Sequence, residues 1–116
     1  MTEKVNDIIK NLLENLVELL VNSRFTEIVA RNENGLLSAS EIKGALEDYP
    51  GTITLPPESA YSSACVYDVY DEIAEARQVE FDLWYDDKAS DLTLSADIRK
   101  DDSGKFVITI EDIHVL

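Results

Sequence analysis

The apolar pattern of this chain changes period once, at Tyr49-Pro50-Gly51. Before that point apolar residues recur at three- and four-residue spacing; beyond it they alternate, and β-branched and aromatic residues become frequent. A helix repeats every 3.6 residues and a strand every two, so the chain is helical first and extended afterwards. Segregation of this kind predicts an α+β fold in which about three N-terminal helices, within about residues 3–49, pack on a curved antiparallel sheet of four to five strands spanning about 52–116. A length of 116 residues suits one domain covering 1–116.

The firmest helical stripe is Val5, Ile8, Ile9, Leu12, Leu13, Leu16, Val17, Leu19 and Leu20, a helix of about five turns. Val17 and Val21 widen it beyond one packing face, which raises a homodimer seam as an alternative to core. Phe25, Ile28 and Val29 predict a short second helix ending near Asn32, before the turn signal Asn32 to Gly35. Ser38 and Glu41 form a capping box, flanked by Leu37 and Ile42 as a hydrophobic staple. A third helix is therefore expected from Ala39 to about Asp48, where Pro50 stops it.

Among the strands, Thr52 to Leu55 and Ala64 to Tyr70 come first, and the role of Asp71 to Arg77 stays open between strand and turn. Val79, Phe81, Leu83 and Tyr85 share one face, as do Leu92, Leu94, Ala96 and Ile98. "DDKASD" (Asp86 to Asp91) between them reads as a polar hairpin loop, and "KDDSGK" (Lys100 to Lys105) as a second turn leading into Phe106, Ile108 and Ile110. After Ile110 the apolar parity slips to Ile113 and Val115, which predicts a bulge at Glu111-Asp112.

Ten Lys and Arg against 24 Asp and Glu leave a net charge of −14. A field of that sign repels phosphate backbones and anionic lipid, so neither nucleic acid nor membrane is expected as a partner, whereas a basic protein is attracted. The same charge also keeps a small domain soluble without any partner. One cysteine, Cys65, excludes an intramolecular disulfide and CxxC sites. With no signal-like or spanning apolar segment, a cytoplasmic location is expected.

The order of elements resembles the nuclear-transport-factor-2-like superfamily, whose curved-sheet rolls host enzymes, binders and adaptors alike. The residues "FDLWYDDKASDLTL" and "FVITIEDIHVL", with "LSASEIKGAL" and "LPP", are similar to a small bacterial family of unknown function whose members carry an "SDLTL" strand and end in "DIHVL". That resemblance implies a bacterial origin and assigns no functional residue.

His114 follows Glu111 and Asp112, half of a general-base arrangement, but none of Ser63, Cys65, Ser90 or Ser95 stands in a nucleophile setting. In simple hairpin register Glu80, Asp82, Asp97 and Glu111 share a sheet face with Trp84, Arg99 and Thr109. Two readings follow. One is a non-enzymatic protein whose Trp84, Asp86, Asp87, Asp91, Asp101 and Asp102 engage a basic partner, such as a bacterial toxin domain neutralised by its immunity protein. The alternative is a ligand-binding or catalytic roll with a pocket between helices and sheet, Trp84 as a stacking wall and Glu80, Asp82, Asp97 and His114 for proton transfer. Neither acidic loop follows the calcium-binding EF-hand spacing and no glycine-rich phosphate loop occurs, so no metal or cofactor is expected.

Overall fold

The computed structural model describes residues 2–69 and 76–115. Helix α1 spans Thr2–Val21, α2 Phe25–Ala30 and α3 Ala39–Asp48. Strand β1 (Ile53–Thr54) is followed by a 3₁₀ helix (Glu58–Ser63), then β2 (Cys65–Val69), β3 (Ala76–Tyr85), β4 (Lys88–Lys100) and β5 (Phe106–Val115). Four helices thus pack against a five-stranded antiparallel open sheet. β4 lies between β3 and β5, and both β1 and β2 pair with the other edge of β3. Residues 71–75, most of the segment left open between strand and turn, lie outside the described residues; Ala76 and Arg77 open β3.

The helices form where the pattern places them, because each buries an apolar stripe. Ile9, Leu13, Leu16, Val17 and Leu20 of α1 join Ile28 of α2 and Ile42 and Leu46 of α3 in one cluster with the inner face of the sheet. Full burial of such a side chain contributes about 1.5–3 kcal/mol. Val17 is 1% exposed and Val21 packs against the same cluster, so the extra width of the α1 stripe is taken up within the chain. The 3₁₀ helix after Pro56-Pro57, which periodicity does not reveal, adds Tyr61, whose ring stacks on Phe81 at 5.0 Å. Tyr85 packs on Tyr49 at 4.7 Å, and its hydroxyl donates to the Leu46 carbonyl at 2.6 Å, satisfying an acceptor left over at the end of α3.

α2 ends at Ala30, short of Asn32, because the chain turns there into the loop that reaches β5. Asn32 and Gly35 both adopt positive φ, and the Ile110 amide donates to the Glu33 carbonyl at 2.7 Å. A methyl group at Gly35 would run into the Ile110 carbonyl oxygen, so glycine permits this approach. The loop thereby covers the middle of β5, an edge strand whose backbone groups would otherwise face outward.

The bulge in β5 lies where the parity slip placed it. Ile110 pairs with Ala96 and Asp112 with Ser95, leaving Glu111 as the extra residue, so that Ile108, Ile110 and Ile113 all reach the core. The capping box is also present: the Glu41 amide donates to Ser38 Oγ at 3.1 Å and the Ser38 amide to Glu41 Oε1 at 3.0 Å. Ser38→Ala removes one acceptor for the first turn of α3 and should lower unfolding free energy by about 1 kcal/mol. A denaturant titration with an unchanged midpoint would remove this cap from the account of α3.

Candidate functional site

The helices occupy one face of the sheet, and the other carries the polar residues. On that outer face Thr93 and Ser95 of the central strand are 1% and 3% exposed, although no helix lies over them in the alternation. Their neighbours explain it. Thr93 pairs with Asp82 on β3 and His114 on β5, and Ser95 with Glu80 and Asp112, so longer side chains flank each small hydroxyl on both sides. Thr93 Oγ1 donates to Asp82 Oδ1 at 3.1 Å and Ser95 Oγ to Glu80 Oε2 at 3.4 Å. The face is a shallow trough with a hydroxyl floor and carboxylate walls.

Next along β4, Asp97 pairs with Gln78 and Thr109, and Arg99 on the same strand grips it through Nε at 2.6 Å and Nη2 at 3.2 Å. Asp97 is therefore compensated, whereas no Lys or Arg among the described residues stands against Glu80, Asp82 or Asp112. At the β2 side stand Cys65 and Tyr67, opposite Glu80 and Gln78. The Tyr67 phenol is pushed above its ordinary acidity range by its hydrogen bond with Cys65 and then by the Cys65 and Glu80 charges. At the far end Trp84, half-buried, pairs with Thr54 and Ala89, both too small to cover its ring fully.

His114 Nδ1 lies 3.0 Å from Asp112 Oδ2, close enough for an ion pair when the ring is protonated but without hydrogen-bond alignment. His114 also borders a groove of about 640 Å³ with Tyr49, Asp91, Leu92, Ile113 and Val115. Of the four residues read as a pocket, that groove takes in His114 and none of Glu80, Asp82 and Asp97. Neighbouring strands are about 4.8 Å apart, so acids on β3 and β5 face each other across roughly 10 Å. Among the described residues no three His, Cys, Asp or Glu side chains come together in a way that could hold a metal ion.

Residues 17–116 match the model of a family described as a domain of unknown function, DUF7668. The chain belongs to the DUF7668 family. No curated protein and no solved structure matches it. The DUF7668 region starts inside α1 and takes in every later element, so the whole outer face lies within it. No helix of the described residues is long and apolar enough to cross a membrane.

In this DUF7668 chain the acids read from sequence as one binding set are spread out. Asp86 and Asp87 form a two-residue turn, both with positive φ as a type I′ hairpin requires, while Asp101 and Asp102 lie beyond the other end of β4. Thirteen residues of strand separate the two ends by about 40 Å. "DDKASD" is thus not one loop: Lys88 and Ala89 pair with Tyr85 and Trp84, and Ser90 and Asp91 form a bulge within β4. Three of the acids have internal work. Asp86 Oδ1 accepts from the Thr52 amide at 3.1 Å, Asp91 accepts from the Tyr49 hydroxyl, and Asp101 Oδ1 accepts from Ser103 and Lys105 amides at 2.9 and 3.0 Å and from Ser103 Oγ at 2.6 Å. Those bonds, the Ser103 hydroxyl first, hold the Asp101 carboxyl below its usual range. Asp87 and Asp102 are exposed, and no described side chain engages either carboxylate.

The bulge rests on Ser90, whose Oγ donates to the Leu83 carbonyl at 2.5 Å and accepts from the Leu92 amide at 3.2 Å. Both are ladder groups that the extra residues leave without strand partners. Ser90→Ala should therefore cost about 1–3 kcal/mol, the range for stranding partly buried polar groups. Chemical denaturation checks this, and a cost near zero would mean that water replaces the hydroxyl there.

Proposed function

We propose that this protein is a non-enzymatic interaction protein whose outer sheet face docks a basic protein. In a bacterial setting the concrete form is an immunity protein that covers a basic toxin domain. The observation that carries the reading is the arrangement of Glu80, Asp82 and Asp112: three carboxylates with no Lys or Arg against them among the described residues, set apart on the sheet around a buried hydroxyl floor. Spread charges of one sign meet several Lys and Arg side chains better than they gather on one ion or one substrate. Trp84 at the end of the trough offers a large apolar surface of the kind that anchors interfaces. The excess of acids over bases, 24 against 10, adds a long-range field that speeds encounter with a basic surface.

The test is capture of the partner from source cells, then association kinetics across a salt series. Glu80→Gln/Asp82→Asn/Asp112→Asn, whose amides can still accept from Thr93 and Ser95, should slow association on the order of tenfold at low salt, with the difference fading as salt rises. Asp102→Asn, at the remote end, should leave the rate unchanged. Trp84→Ala should instead speed dissociation and weaken affinity by about 2 kcal/mol or more. An association rate indifferent to salt and to the triple variant would reduce the acidity to a solubility feature.

A second reading, a small-molecule or catalytic site, draws on one observation, the His114 and Asp112 pair beside the 640 Å³ groove. Under the docking reading any turnover found should survive His114→Gln within about tenfold. A loss of 10²–10⁴-fold at unchanged stability, the usual cost of a general base, would instead favour catalysis.

A further inference from the structure

A cleft of about 650 Å³ lies away from the trough, between α1, the loop after α2 and the start of β5, with Leu12, Arg31, Glu33, Lys105 and Phe106 on its walls. Its volume is within the range of small-ligand sites, about 300–1,000 Å³. Glu33 Oε1 is shut off from solvent there and receives no hydrogen bond from a described residue. Burial is the leading reason that its acidity is pushed up. A buried polar atom without a partner is costly and seldom kept without a reason.

The Arg31 charge offsets this only in part, and no described cation bonds Oε1. Arg31 is committed to Glu27, with Nη2 2.9 Å from Oε2. Lys105 is exposed; its backbone amide bonds Asp101, and its ammonium makes no ion pair among the described residues. The cleft therefore presents a screened anion and, in Lys105, a cation with no ion pair among the described residues, and the two do not meet each other. Both are held by fixed backbone, Glu33 through the 2.7 Å bond of its carbonyl to the Ile110 amide, and Lys105 through the Asp101 turn. Leu12 and Phe106 also line the cleft, both packed on the core, and Lys100 lies 5.3 Å from the Phe106 ring centroid.

We propose that this cleft binds a small zwitterion with an apolar body, the chemistry of a free aliphatic amino acid. Its ammonium group meets the Glu33 carboxylate, its carboxylate meets Lys105 at the mouth, and its hydrocarbon lies on Leu12 and Phe106. The proposal stands apart from the docking face and neither needs the other.

The experiment is a titration of the ¹⁵N-labelled protein with L-leucine, followed by amide resonances, beside 4-methylpentanoate, which lacks the ammonium, and 3-methylbutylamine, which lacks the carboxylate. Leucine should shift the amides of Arg31 to Glu33 and Lys105 to Ile108, and each one-ended analogue should bind at least about tenfold more weakly. Glu33→Gln should weaken leucine binding by a similar factor while the thermal midpoint holds or rises, because the variant removes a buried charge without a donor. Lys105→Gln should weaken leucine binding and leave that of the amine unchanged. The proposal falls if leucine moves no amide in the cleft at about 10 mM, well above the dissociation constants of ordinary small-ligand sites. It falls equally if 4-methylpentanoate binds as well as leucine, or if Glu33→Gln lowers the midpoint and leaves affinity intact.

Discussion

Every other element takes its position from β4. It pairs along one edge with β3 and along the other, from Leu92 to Lys100, with β5, so its register fixes which side chains those strands turn inward. Toward the helices it contributes Leu92, Leu94, Ala96 and Ile98, all buried. A shift of one residue would exchange that set for Thr93, Ser95, Asp97 and Arg99 and put an ion pair under α1, at a cost no helix packing could offset. Two irregularities reconcile this register with the sequence on either side: the Ser90-Asp91 bulge lets the short Asp86-Asp87 turn close, and the extra Glu111 on β5 keeps Ile113 inside.

The same central strand shapes the outer face. Small hydroxyl residues in its middle let the longer side chains of β3 and β5 stand up around them, and the hydroxyls donate to the β3 carboxylates. Acid on this surface therefore has two uses. Asp86, Asp91, Asp97 and Asp101 hold turns, a tyrosine or an arginine, and their charge is partly spent within the molecule. Glu80, Asp82, Asp112, Asp87 and Asp102 have no Lys or Arg against them among the described residues, and the first three form a patch. Exposed ion pairs such as Lys10 with Glu58 contribute little by comparison, at most about 1 kcal/mol.

The far edge of the sheet is guarded by the loop after α2. Its Glu33 carbonyl takes the Ile110 amide, and Gly35 lets the two backbones approach. Covering an edge strand blunts unwanted pairing. The same loop leaves the Glu33 carboxylate facing a cleft with no donor, so one short segment both protects the edge and creates the least satisfied polar atom described on that side of the molecule.

The sequence by itself determined the elements whose cause is local. The capping box at Ser38 and Glu41 marks where α3 begins, Pro50 marks where it ends, and the parity slip after Ile110 marks the bulge at Glu111, because each is a pattern within a few residues. The α+β layering followed from the single change of period. Tertiary structure alone decided the rest. Whether Asp86 to Asp91 is a loop or a turn with a bulge depends on what pairs across it, since Ser90 bonds to Leu83, seven residues away. That Thr93 and Ser95 are buried follows from neighbours on two other strands, and that Asp86 and Asp101 stand at opposite ends follows from the length of β4. A hydroxyl or carboxylate looks the same in sequence whether it faces water or a partner. Only the strands brought beside it decide which it meets, because burial and charge compensation are properties of contacts between segments far apart in the chain.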